Sequence, residues 1–142
     1  MAVEAREEEN MKVLIADPDW RFAQQTSAYL ESHAHLVVQQ PNPRAAVAHV
    51  LHWKPDLAIV SAALAETGIL ESLASANPPP AILLTEHMDR FDRAWQAWQR
   101  GGDELLLKPI LKTEDLLVAT IVALHKAAAK RRTRRTQLAA SA

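Results

Sequence analysis

Five short apolar runs, each closed by turn or polar residues, constrain this chain more than any other feature. They are Met11–Ala16 (MKVLIA), His35–Gln39 (HLVVQ), Leu57–Val60 (LAIV), Ala81–Leu84 (AILL) and Glu104–Leu107 (ELLL). The breakers DPD, PNP, KPD, NPPP and GGD mark their borders. Runs this short and continuously apolar read as strands covered on both faces, not as half-exposed alternating strands. Between them the apolar residues recur at helical spacing. Phe22, Ala23, Thr26, Tyr29 and Leu30 form one stripe within Trp20–Glu31; Ala46, Val47, Val50 and Leu51 form another after PNP, which opens that helix. A short helical piece follows Gly68, from Ile69 to Ser75. Arg90–Arg100 is helical and stops at Gly101-Gly102. Thr113 caps the last helix, whose predicted buried side is Leu116, Leu117, Val118, Ile121 and Leu124. Five strands alternating with five helices make a single doubly wound α/β domain with a parallel sheet.

In such sheets ligands sit outside the carboxyl ends of the strands. The first run ends in Asp17-Pro18-Asp19, the third in Ser61, the fourth in Thr85 and the fifth in Lys108-Pro109. Parallel strands bring carboxylates, two hydroxyls and an ammonium to one rim. Asp19 also reads as a helix N-cap. A strand-ending serine commonly bonds the nearby backbone. IVSAA lacks the flanking glycines of a hydrolase nucleophile elbow, which argues against a serine hydrolase.

Composition narrows the function further. The chain has 142 residues, a net charge of −1 and no cysteine. Disulfides, thiolate metal sites and cysteine catalysis are therefore excluded, and the reading is of a cytoplasmic protein. No apolar stretch is long enough to span a bilayer. The six histidines show no metal-ligand spacing and read as surface residues, with His33 and His35 before a strand and His49 and His52 on a helix. Charge is uneven: residues 1–10 hold EAREEEN, and KAAAKRRTRRTQ lies near the other end.

The segments VLIADPD, KPDLAIV, AILLTEH and GGDELLLKPI, in this order and spacing, resemble the receiver domain of bacterial two-component response regulators. The resemblance runs from about Met11 to about Leu124. It implies a flavodoxin-like sheet with strand order 2-1-3-4-5. It also implies a phosphorylation pocket at Asp17, Asp19, Ser61, Thr85 and Lys108, a switch position at Leu105, and a cis peptide before Pro109. Typical receivers hold Mg²⁺ on acidic residues after the first strand, phosphorylate an aspartate that ends the third, and contact the phosphoryl group with a Thr or Ser and a Lys. Here Ser61 stands at the acceptor position, Pro18 at the second acidic position and Leu105 at the switch aromatic. Serine is a poor nucleophile without an adjacent base, and Mg²⁺ prefers carboxylates.

The resemblance thus implies a pseudo-receiver: a stand-alone, non-enzymatic signalling module that works by protein contact, with no cofactor and no metal site, a weak Mg²⁺ contact at Asp17 being the one exception it leaves room for. With so few carboxylates, Lys108 is expected to pair directly with Asp17. The partner surface is expected on the fourth helix, fifth strand and fifth helix, at Trp95 and Trp98, for a signalling protein or a second copy. Two alternatives stand beside it: a nucleic-acid-associated regulator using the basic run, and a receiver phosphorylated at another residue. The expected division is an acidic lead-in over 1–10, a receiver-like domain over 11–129 and a basic tail over 130–142 that continues the last helix.

Overall fold

The computed structural model describes residues 11–141, so the acidic lead-in lies outside the described residues. The five apolar runs form β1 (Lys12–Ala16), β2 (Leu36–Gln39), β3 (Leu57–Ser61), β4 (Ala81–His87) and β5 (Glu104–Lys108). They pair in parallel in the order β2-β1-β3-β4-β5. The helices are α1 (Trp20–Ser32), α2 (Pro43–Trp53), α3 (Ile69–Ala74), α4 (Phe91–Arg100) and α5 (Thr113–Ser141). Short 3₁₀ turns at Ala62–Thr67 and Met88–Arg90 complete the β3–α3 and β4–α4 connections.

The two-residue period of each strand divides the core into two layers. Val13, Ile15, Leu57, Ile59, Ala81 and Leu83 face α1 and α5. Leu14, Ala16, Ala58, Val60, Ile82 and Leu84 face the other side, with α2, α3 and α4. Local chemistry sets the helix ends. Asp19 accepts the Phe22 N–H at 3.2 Å, and Asn42 accepts the Ala45 N–H at 3.0 Å just before Pro43. Gly102, at φ +134°, cannot be replaced without cost, because a Cβ there would stand 2.7 Å from Leu84 Cδ1. No helix among the described residues is long and apolar enough to cross a membrane.

Several sequence expectations are corrected. The core stripe of α5 is Leu116, Ala119, Thr120, Ala123 and Ala127, while Val118 is exposed and Leu117, Ile121 and Leu124 are only partly buried. Alanines allow the helix to lie close on the sheet, so the phase follows them and not the bulkier residues. On α2, Ala46 and Val50 are buried but Leu51 is exposed, for the same reason. His35 is buried, because its backbone N–H bonds Leu30 O and draws it against the end of α1. Thr113 is the first residue of α5. As expected, the basic run continues the last helix, and the last buried side chain among the described residues is Ala127.

β4 also continues beyond its apolar run, through Thr85, Glu86 and His87. The extension buries Glu86, whose carboxylate takes a bidentate guanidinium from Arg93 on α4 and the N–H of His87. Burial pushes the Glu86 carboxyl up, but the Arg93 and His87 hydrogen bonds outweigh it and hold the group below its ordinary 4.5. Glu86 therefore stabilises the fold fully above that ordinary value, and the contribution is lost as pH falls through the lower native value. In urea unfolding, Glu86→Gln should be less stable at neutral pH. Between neutrality and roughly pH 3 it should lose less stability than the natural chain. Parallel pH profiles would contradict this role.

Candidate functional site

The register brings the polar strand ends together. Ser61 lies opposite Thr85 across β3 and β4, and Asp17 and Ser61 each follow a residue of the pair Ala16–Val60. Asp17 is buried and fully engaged. Its Oδ2 accepts from Lys108 Nζ at 2.8 Å and from Thr85 Oγ1 at 2.9 Å, and its Oδ1 accepts the Asp19 N–H at 2.9 Å. Lys108 is buried as well, and its ammonium stands 4.2 Å from the centroid of the Phe22 ring. The direct pair expected from the sequence is present. It costs desolvation of two charges, offset by short hydrogen bonds and by the aromatic face.

Asp19 has two roles. Its Oδ1 caps α1, and its Oδ2 lies 3.4 Å from Lys108 Nζ and 3.6 Å from His87 Nε2. Burial pushes its carboxyl up, but the Phe22 amide and the Lys108 ammonium together hold it below the usual carboxylate value. Ser61, also buried, turns its hydroxyl to the backbone and accepts the Ala63 N–H at 3.2 Å, capping the 3₁₀ turn after β3. Lys108–Pro109 is a cis peptide, as is Asn77–Pro78.

The remaining sequence candidates lie away from this rim. Leu105 is partly buried and packs on the α2–α3–α4 side of the sheet. Trp98 packs on that same side, with Lys126 Nζ 5.8 Å from its ring. Trp95 is about half exposed; Phe91, one turn back on α4, and Met88, in the preceding 3₁₀ turn, are exposed too. The sequence reading placed Phe22 in the stripe of the first helix and gave neither it, His87 nor the Glu86–Arg93 pair a place beside the rim. Phe22 carried a signal, since it lies three residues after the capping aspartate and so faces back over the strand ends. The polar residues Glu86 and His87 gave none.

The comparisons with known proteins point to one fold. Neither a family model nor a curated protein matches the chain. Solved structures do. A signal receiver domain from Vibrio parahaemolyticus matches with TM-score 0.70 at 18% identity, over 87% of this chain and 97% of that one. A response regulator signal receiver domain from Bermanella marisrubri matches with TM-score 0.65 at 21% identity, over 76% and 92%. NtrX from Brucella abortus matches with TM-score 0.74 at 19% identity, over 90% of this chain but only 29% of the NtrX chain. The chain thus has the fold of response-regulator receiver domains, with the strand order that the sequence resemblance implied.

The rim makes a quantitative prediction. Asp17→Ala leaves Lys108 buried without its main counter-charge and should cost about 3 kcal/mol. Adding Lys108→Met should recover a large part of that loss. Denaturant unfolding of both single variants and the double variant measures the coupling. Additive losses would contradict a direct pair.

Proposed function

We propose that this chain is a receiver-like signalling module that works by protein contact, without phosphorylation at the strand-end position typical of receivers. The single observation that carries the reading is the occupied rim. Lys108 and Thr85 both bond Asp17, while the position of the acceptor aspartate holds Ser61. The Ser61 hydroxyl is taken up in a backbone cap, and no base among the described residues is bonded to it. That arrangement favours a static pocket over nucleophilic attack on a phosphodonor.

Mg²⁺, which the receiver fold implies, needs several hard oxygen ligands in near-octahedral geometry. The ammonium of Lys108 lies within 3.4 Å of both rim carboxylates. Among the described residues, no group of three His, Cys, Asp or Glu is placed to hold a metal. The donor set therefore fits Mg²⁺ poorly, and the ammonium supplies the positive charge in its place.

For partner contact, α4 offers the exposed Phe91 and Trp95, four residues apart, and the turn before it offers the exposed Met88. Aromatic residues exposed in this way suit a signalling protein or a second copy of the chain. Residues 11–129 are proposed as the receiver unit, acting without catalysis of its own, in the cytoplasm.

The test is intact mass after incubation with a small-molecule phosphodonor and Mg²⁺, for the natural chain beside Ser61→Asp. The natural chain should carry no adduct. An adduct on Ser61→Asp alone would locate the silencing at Ser61. No adduct on either would add Pro18 as a second cause. An adduct on the natural chain would overturn the proposal.

A further inference from the structure

A cavity of about 500 Å³ opens between α4 and the 3₁₀ turn Ala62–Thr67. Neither Asp17, Asp19, Thr85 nor Lys108 lines it, so it is separate from the rim. Small residues create it. The turn presents Ala62, Ala63 and Ala65, and α4 presents Ala97, so no bulky side chain fills the space between the two elements. Arg93, Ala97 and Arg100 stand four and three residues apart, on one face of α4. Arg90, in the turn before the helix, adds a third guanidinium to the lining.

The lining sets three guanidinium groups against one carboxylate, that of Glu66. The acids that pair with the arginines stand outside it. Glu86, buried at the end of β4, takes the Nε and Nη2 of Arg93, which leaves Nη1 for another acceptor. Arg100 donates its Nη1 to Ala65 O at 3.1 Å, while its approach to Glu71 is 4.0 Å and exposed. Arg90 meets Asp92 at 3.7 Å, again in solvent. Exposed pairs of that kind contribute little and give way readily. Arg93 and Arg100 are thus held from within the protein, one by a buried carboxylate and one by a backbone carbonyl. Donors fixed beforehand in this way lose little freedom when an anion arrives.

The spread of the cations selects the ligand. Arg93 and Arg100 are seven residues apart, about 10 Å along the helix axis, with Gln96 and Gln99 between them. Guanidinium forks match the oxygens of phosphate, and amide groups donate to the same oxygens. A chain of linked phosphates offers charge at several points along this line, where one compact anion offers it at a single point. We propose that the cavity between α4 and the Ala62–Thr67 turn binds a polyphosphate chain, either free or borne by a nucleotide.

Calorimetric titration of the full chain with tripolyphosphate, at low salt and without Mg²⁺, tests the site. One equivalent should bind, about tenfold or more tighter than inorganic phosphate. Ala63→Glu puts a second carboxylate into the lining at an exposed position and removes no side-chain bond. It should abolish binding and leave the thermal midpoint in place. Arg90→Gln should weaken binding about tenfold, and Glu66→Gln should tighten it. Arg131→Gln/Arg132→Gln/Arg134→Gln/Arg135→Gln, which strips the exposed end of α5, should bind as the natural chain does. Adenosine triphosphate run alongside separates the sources: tighter binding than tripolyphosphate assigns the nucleotide, equal or weaker binding the free chain. No saturable binding, or equal affinity for phosphate and tripolyphosphate, would overturn the proposal. Binding that survives Ala63→Glu and is lost from the α5 variant would overturn it too, by assigning the anion to the end of the last helix.

Discussion

The buried bond between Lys108 and Asp17 is the constraint on which the rim depends. It joins the end of β5 to the end of β1, and Thr85 adds β4 to the same carboxylate oxygen. Three strand ends are thereby fixed through one group. β3 lies between β1 and β4, and the residue at its end is small and neutral. A carboxylate at position 61 would place a third negative charge against a single ammonium. Ser61 avoids that, and Asp17 is left with enough donors to satisfy both of its oxygens. The same small neutral residue that ends β3 lets the rim close on itself.

Electrostatics follow the same logic elsewhere. Buried charges persist only when paired and hydrogen-bonded. Glu86 meets Arg93, Asp103 meets Lys130 and the Ile82 N–H, and Lys108 meets two carboxylates and an aromatic ring. Each of these pairs ties a strand to a neighbouring element, so charge at the sheet edges reinforces the apolar layers. The arginines at the end of α5 lack such partners among the described residues, which sets that segment apart from the rest of the fold.

Much of this architecture was legible in the sequence. Continuous apolar runs bounded by Pro, Gly and Asp marked the strands, and their polar last residues marked the rim. The pairing of Lys108 with Asp17 followed from setting those ends against the receiver pocket that they resemble, in which more carboxylates stand. Less legible was the phase of the helices. On α5 the sheet-facing positions after Leu116 are mostly alanines, so reading the large apolar residues as core put Val118 inside. The polar end of β4 escaped for a related reason. Glu86 is buried by a partner on α4, and no local pattern announces a tertiary ion pair. His35 owes its burial to a backbone bond that spacing does not reveal.

The account rests on the direct bond between the Lys108 ammonium and Asp17. The most direct measurement is the ¹⁵N-resolved NMR signal of the Lys108 ammonium, recorded without and with excess Mg²⁺. The account predicts a slowly exchanging signal, bonded to Asp17, that Mg²⁺ leaves unchanged. A signal that shifts and exchanges faster as Mg²⁺ is added would mean that the cation displaces the lysine, and would contradict the account.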